Sequence, residues 1–145
     1  MSNEKYYTPH ISEFYVGFRY EKINSNGEWE KFDDFSNSYD YEDNPHYAVS
    51  KDIEHGRVRV KFLDREDIEA EGWYFNKSQT LPVYELFTPK GLYDLIKSHP
   101  DFYGQDKYTV TLHESGTKNS FTLFSGTIKN RSELRKVMEM IGITK

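Results

Sequence analysis

The stretch Lys107–Gly142, KYTVTLHESGTKNSFTLFSGTIKNRSELRKVMEMIG, decides the fold class. Residues 107–113 and 120–128 are rich in Thr, Val, Leu and Phe, and they flank the turn-forming segment 115–119, which predicts a β-hairpin. Asn130, with a glutamate three residues later, predicts the N-cap of a helix whose apolar side chains recur every three or four residues. A strand hairpin followed by an amphipathic helix is typical of an α+β domain.

The segments that precede this stretch predict more strands. Residues 14–23 alternate apolar and polar side chains and are followed by an Asn-Gly turn, so we expect them to pair with residues 28–32. Residues 57–63 alternate basic and apolar side chains, which indicates a strand with one buried face. Residues 73–75 and 81–87 predict two short strands, the second of which contains Pro82 and therefore starts late or lies at an edge.

Two further helices are predicted between these strands. Asp64 has the position of an N-cap for a helix of about two turns that ends at Gly72. Thr88-Pro89 is typical of a helix start, and an apolar stripe over residues 92–96 continues it until Pro100. The predicted order of elements lacks a regular β-α alternation, so we expect a single α+β domain over residues 1–145, in which helices pack on one face of an antiparallel sheet.

The composition limits the function. The chain of 145 residues has no cysteine and no apolar run near the roughly 20 residues that span a bilayer, and its first ten residues lack the pattern of a signal peptide. We therefore expect a soluble, cytoplasmic protein without a membrane partner. Its net charge of −5 argues against direct nucleic-acid binding, which requires clustered Lys and Arg.

An acidic segment with tyrosines is the predicted partner-binding site. The segment spans residues 33–43 and contains no Lys or Arg. It lies within a long excursion over residues 33–56, which shows little periodicity. A second acidic cluster spans residues 64–71, and we expect it also to point outward to a partner. Tyrosine anchors protein interfaces, although such a loop can equally be solvated with its rings folded back. The predicted binding residues are Asp33, Asp34, Tyr39, Asp40, Tyr41, Glu42 and Asp43.

A basic strand face is a secondary candidate. Arg57, Arg59 and Lys61 lie on the side of the predicted strand opposite its apolar residues. They are suited to bind phosphates or carboxylates of a partner. The alternative is that they face Asp or Glu side chains on a neighbouring strand.

Catalytic and cofactor motifs are scarce. The chain has no phosphate-binding glycine loop, no dinucleotide fingerprint and no histidine pair at zinc-binding spacing, so we predict no cofactor, no metal and no enzyme activity. One alternative stays open. His10-Ile11-Ser12 and His113-Glu114-Ser115 match the H-x-S/T pairs of two-histidine phosphoesterases, in which the imidazoles act as general base and general acid. That alternative is a protein that binds or cleaves a small nucleotide.

Three segments carry a resemblance. YTPHISEFYVGF at residues 7–18, VKFLDREDIEAEGW at 60–73 and LFSGTIKN at 123–130 resemble small proteins of unassigned chemistry encoded by phages and prophages of gut Bacteroidota. The resemblance implies a phage accessory protein in the cytoplasm of a host cell, and it supplies no catalytic or binding residues. Such proteins often block a host factor, so the leading hypothesis is a non-catalytic inhibitor of a host nucleic-acid-processing or defence protein that acts by acidic mimicry. A virion or assembly component that oligomerises through an exposed strand is a further alternative.

Overall fold

The computed structural model describes residues 5–14, 18–32, 45–77, 81–98 and 107–143. The contacts of the chain divide it into two compact units, Ser2–Phe62 and Leu63–Lys145, called the first and second unit below. Each unit contains helical segments and an antiparallel sheet, so the α+β class is confirmed. The strands belong to two sheets rather than to the one sheet that was expected.

The first unit is built around a small antiparallel sheet. Its described strands follow the order β1-β4-β2-β3. A helix and a short 3-10 turn at Ile11–Glu13 complete the unit. The bounds are β1 Tyr6–Tyr7, β2 Tyr20–Ile23, β3 Trp29–Phe32, α1 Pro45–Glu54 and β4 Val58–Lys61.

The predicted first hairpin is confirmed, but its first strand is shorter than expected. β2 pairs with β3 through the register Tyr20 to Phe32, and the turn between them uses Gly27 at a φ of 81°. The predicted strand began at residue 14, whereas β2 begins at Tyr20. Phe14 and Phe18 are nevertheless buried, with their ring centroids 4.9 Å apart. Among the described residues of the predicted strand, Phe14, Phe18 and Arg19 therefore lie outside β2.

The predicted excursion over residues 33–56 is wrong in its second half, because residues 45–54 form α1. Val49 is fully buried, and Ala48 and Ile53 pack against the same cluster of apolar side chains. This narrow apolar stripe was hidden by the polar residues around it. The acidic residues 33–44 lie outside the described part of the chain.

The second unit has a meander sheet with two helices. Its described strands follow the sequential order β5-β6-β7-β8-β9, and all pairs are antiparallel. β9 therefore forms one edge of this sheet, and β5 forms the other. The bounds are α2 Arg65–Ala70, β5 Tyr74–Asn76, β6 Val83–Thr88, β7 Gly91–Ser98, β8 Lys107–Glu114, β9 Ser120–Thr127 and α3 Arg131–Met140.

The helix predicted after Thr88-Pro89 is wrong, because residues 91–98 form the central strand β7. Thr88 pairs with Gly91 across a two-residue turn, and Gly91 has a φ of 144°. The side chains of Tyr93 and Leu95 are buried, as the alternation of a strand requires. Pairing with β6 on one side and β8 on the other overrides the apparent helical stripe.

The other predictions for this unit are confirmed. β8 and β9 form the expected hairpin, and β6 starts late, directly after Pro82, although it lies inside the sheet. The Asp64 carboxylate caps α2 by accepting the backbone N–H of Asp67 at 3.0 Å. The Asn130 side chain caps α3 by accepting the N–H of Glu133 at 2.8 Å.

Both helices pack on one face of this sheet, as predicted. Leu134 of α3 and Ile68 of α2 share one buried cluster with Tyr93, Leu95 and Tyr108 from the central strands. Because side chains alternate between the two faces of a sheet, the opposite face carries the residues between these positions. On β8 and β9 that face carries polar side chains, including Thr111, His113 and Ser120, and on β7 it carries Asp94 between Leu92 and Ile96.

Candidate functional site

The predicted acidic binding segment lies between two described elements of the first unit. Residues 33–44 connect the end of β3 to the start of α1. Asp33, Asp34, Tyr39, Asp40, Tyr41, Glu42 and Asp43 all lie outside the described residues. Their role as a binding site stays a prediction that rests on their chemistry.

The second acidic cluster, residues 64–71, points outward only in part, because Glu66 and Glu69 are exposed whereas Glu71 is buried. Asp64 is the N-cap of α2, and Glu69 forms an ion pair with Arg65 one turn earlier. Glu71 has a relative exposure of only 2%. Helix capping and internal pairing therefore account for much of the acidity of this cluster.

Glu71 is the most buried carboxylate among the described residues. Arg131 donates to it at 2.6 Å through Nε, and Arg135 donates to its two oxygens at 3.0 and 3.1 Å. Burial acts to raise the pKa of Glu71, but hydrogen bonds from Arg135 and Arg131 outweigh it, so the pKa lies below its ordinary value of 4.5. The ion pairs of Glu71 with Arg131 and Arg135 therefore link the C-terminal end of α2 to α3.

The basic strand face is engaged within the first unit. Glu21 on β2 accepts two hydrogen bonds from Arg59, at 3.1 Å from Nε and 2.8 Å from Nη2. The Arg59 guanidinium also lies over two rings, 3.7 Å from the centroid of Tyr6 and 4.3 Å from that of Trp29. Arg57 lies 3.8 Å from the carboxylate of Asp52.

Lys61, the third residue of that face, is half-buried and also interacts within the protein. The alternative prediction for this face was pairing with carboxylates on a neighbouring strand. Arg59 pairs in this way with Glu21 on β2. The side chain of Arg57 is more exposed than that of Arg59, with 51% of its surface exposed against 26%. Binding of a partner by Arg57, Arg59 and Lys61 stays a prediction.

The two H-x-S motifs have different local structures. In the first unit, His10 caps the 3-10 turn, and its Nδ1 lies 2.8 Å from the Ser12 hydroxyl. In the second unit, His113 is hydrogen-bonded to Ser120 on the adjacent strand rather than to Ser115. His10 therefore shapes a turn, whereas His113 takes part in contacts between strands. The phosphoesterase alternative stays a prediction.

A hydrogen-bonded chain of three side chains crosses the polar face of the second unit. His113 Nδ1 lies 2.8 Å from the Ser120 hydroxyl, and His113 Nε2 lies 2.8 Å from Asp94 Oδ2. Strand register explains this, since His113 is directly opposite Ser120 on β9, while Asp94 lies diagonally on β7. In a carboxylate, an imidazole and a hydroxyl in this order, the imidazole can accept the proton of the hydroxyl while the carboxylate orients the ring.

The sequence does not predict the hydrogen bonds of His113 with Asp94 and Ser120. The sequence predicts a helix that starts at Thr88-Pro89 and continues until Pro100, and a helix does not place Asp94 beside His113. Period-two alternation over Tyr93 and Leu95 was the signal that would have found it. The side chain of His113 is 44% exposed on an open sheet face, so solvent reaches the imidazole.

The second unit also contains a cleft of about 460 Å³. Its walls are mainly apolar, and its charged residues are Glu71, which is already bound to two arginines, and Lys90. A space of this size and character can hold a small apolar molecule that carries an anionic group. The lining residues are Glu71, Gly72, Leu86, Phe87, Thr88, Pro89, Lys90, Tyr93, Met138, Gly142 and Ile143.

In the part of the chain that the structure describes, no three His, Asp or Glu side chains converge as a metal site. No helix in that part is both long and apolar enough to cross a membrane. Comparison with protein-family models, with curated proteins and with solved structures matches none of them.

Proposed function

We propose that this chain is a non-catalytic protein-binding domain whose acidic segment, residues 33–43, binds a basic surface of a host protein. The supporting observation is the charge balance of the chain. The segment holds five carboxylates and no Lys or Arg. Removing those five from the 24 acidic residues leaves 19, which equals the number of Lys and Arg residues. The five carboxylates of this segment thus equal in number the excess negative charge of the chain.

The internal ion pairs add to this argument. Glu21 pairs with Arg59, and Glu71 pairs with two arginines. Asp52 lies 3.4 Å from the ammonium of Lys22. Charges that are paired inside a fold contribute little to the field that a partner meets, whereas an acidic segment whose sequence contains no Lys or Arg attracts a basic surface.

The chemistry of the segment indicates the kind of partner. Five carboxylates within eleven residues present negative charge at a density that a nucleic-acid-binding surface accepts, because such surfaces carry clustered Lys and Arg. Tyr39 and Tyr41 add large rings that can anchor an interface at a low cost in conformational entropy. The proposed partner is therefore a host protein that processes nucleic acid, and the proposed effect is to block its nucleic-acid site.

A comparison of two charge variants tests this proposal. Both remove three carboxylates, so they change the net charge by the same amount. The first is Asp40→Asn, Glu42→Gln and Asp43→Asn, within the acidic segment. The control is Glu28→Gln, Glu114→Gln and Glu139→Gln, three exposed glutamates whose side chains have no partner among the described residues.

The assay uses proteins captured from bacterial lysate by the wild-type chain, identified by mass spectrometry and then purified. We expect the segment variant to bind the captured protein about 3- to 100-fold more weakly, since each exposed charge contributes roughly 0.2–1 kcal/mol. The control should bind within about twofold of wild type. We also expect duplex DNA to compete for the captured protein. Equal weakening by both variants, or binding that DNA leaves unchanged, would contradict the proposal.

A further inference from the structure

The edge strand β9 is free of charge in a chain that is otherwise highly charged. It lies inside residues 119–128, NSFTLFSGTI, which is the longest stretch of the sequence without Asp, Glu, Lys or Arg. In the described part of the chain, β8 is the strand paired with it, and no strand pairs with its outer side. The residues Ser120–Leu123 are all exposed.

The other sheet edges are protected in ways that β9 is not. An unpaired edge exposes backbone N–H and C=O groups, and proteins usually shorten such edges, place charges or proline on them, or twist them away with a bulge. β5 is three residues long and β1 is two, while β3 carries Glu30 and Lys31. β9 is eight residues long and contains neither charge nor proline.

A bulge is the one irregularity of β9. Thr122 pairs with Thr111 and Phe124 pairs with Val110, so Leu123 has no partner position on β8. The bulge leaves Leu123 37% exposed, and Phe121 beside it is 46% exposed. Exposed apolar side chains next to an open backbone edge favour pairing with another strand.

We infer that β9 pairs antiparallel with β9 of a second copy of this chain. Two-fold pairing places each residue near a residue of the same strand, so any charge in β9 would meet a like charge close to the axis. The neutral strand avoids that repulsion. Two copies that each carry a net charge of −5 can therefore approach at this edge without direct charge contact. The pairing joins two antiparallel sheets into one continuous sheet.

Sedimentation analysis over a range of protein concentrations tests this inference. We expect the wild-type chain to reach twice its monomer mass of 17.2 kDa. Leu123→Lys places an ammonium at the pairing edge and should raise the dissociation constant at least about tenfold, which corresponds to about 1.4 kcal/mol. The control Met140→Lys adds the same charge at a residue that is 72% exposed on α3, and it should dimerise like the wild type.

Hydrogen exchange on the wild-type chain keeps the inference testable if Leu123→Lys fails to fold. Backbone amides of β9 should become more protected as protein concentration rises, while those of β3 should not change. A wild-type chain that stays monomeric, equal dimerisation of Leu123→Lys and wild type, or concentration-dependent protection elsewhere than β9 would each overturn the inference. Neutralising residues 33–43 should leave dimerisation intact, so this result is separate from the fate of the proposed function.

Discussion

Replacing Glu71 with glutamine should destabilise the second unit. The substitution keeps the shape of the side chain but removes the charge that Arg131 and Arg135 bind at 2.6–3.1 Å. Two guanidinium groups would then face each other without a counter-charge. Because Glu71 has a relative exposure of only 2%, little water can reach this side chain to replace the charged hydrogen bonds that it loses.

The size of the effect follows from the exposure of the three side chains. Breaking a fully buried ion pair costs about 3–5 kcal/mol, whereas an exposed pair contributes about 0–1 kcal/mol. The side chains of Arg131 and Arg135 are 21% and 42% exposed, so both can regain part of their hydration. We therefore expect a loss of about 2 kcal/mol, or roughly 4–10 °C in the melting temperature.

Urea denaturation followed by circular dichroism measures this loss, and Glu69→Gln is the matched control. Glu69 also pairs with an arginine, but its side chain is 44% exposed, so its loss should cost less than about 0.5 kcal/mol. Since the folded state lowers the pKa of Glu71, the ionised carboxylate stabilises the folded state above pH 4.5. This contribution is lost as the pH falls below that value. The difference between wild type and Glu71→Gln should therefore shrink in acid. Equal losses for the two variants at neutral pH would refute the reasoning.

Two further pairs of substitutions test the packing of the backbone and of the basic strand. Gly91→Ala should cost about 3 kcal/mol or more, because its Cβ would lie 2.1 Å from the backbone oxygen of His113, whereas Gly116→Ala, with open space around it, should cost about 1 kcal/mol. Arg59→Gln should cost about 2–4 kcal/mol by removing ring contacts and leaving a buried carboxylate without its partner, whereas Arg57→Gln should cost under about 1 kcal/mol. Thermal unfolding of each pair measures both contrasts, and equal melting temperatures within a pair would contradict them.

Local signals explain which elements were predictable from the sequence. The β8–β9 hairpin and α3 are encoded by turn residues, an N-cap and a periodic stripe, all within a few residues of one another. β7 depends instead on two neighbouring strands, since Leu92, Leu95 and Ile96 fit a helix as well as Tyr93 and Leu95 fit a strand. Such non-local pairing overrides local propensity and is invisible in a short window of sequence.

The candidate sites show the same limit. The acidity of residues 33–43 is a property of the sequence and needs no structure to be seen. The internal pairing of Glu71 depends on Arg131 and Arg135, which lie about sixty residues away, so proximity in the sequence could not reveal it. The contacts of His113 with Asp94 and Ser120 likewise arise from strand register, and the unprotected state of β9 arises from its place at the edge of a sheet.

The salt dependence of partner binding tests the central claim most directly. The affinity of the wild-type chain for the protein that it captures should be measured at increasing salt, beside the segment variant Asp40→Asn, Glu42→Gln and Asp43→Asn. We expect the wild-type affinity to fall steeply with salt and the variant affinity to fall much less, because screening acts on the charges that the variant lacks. Parallel salt dependence of the two proteins would show that residues 33–43 do not carry the interaction.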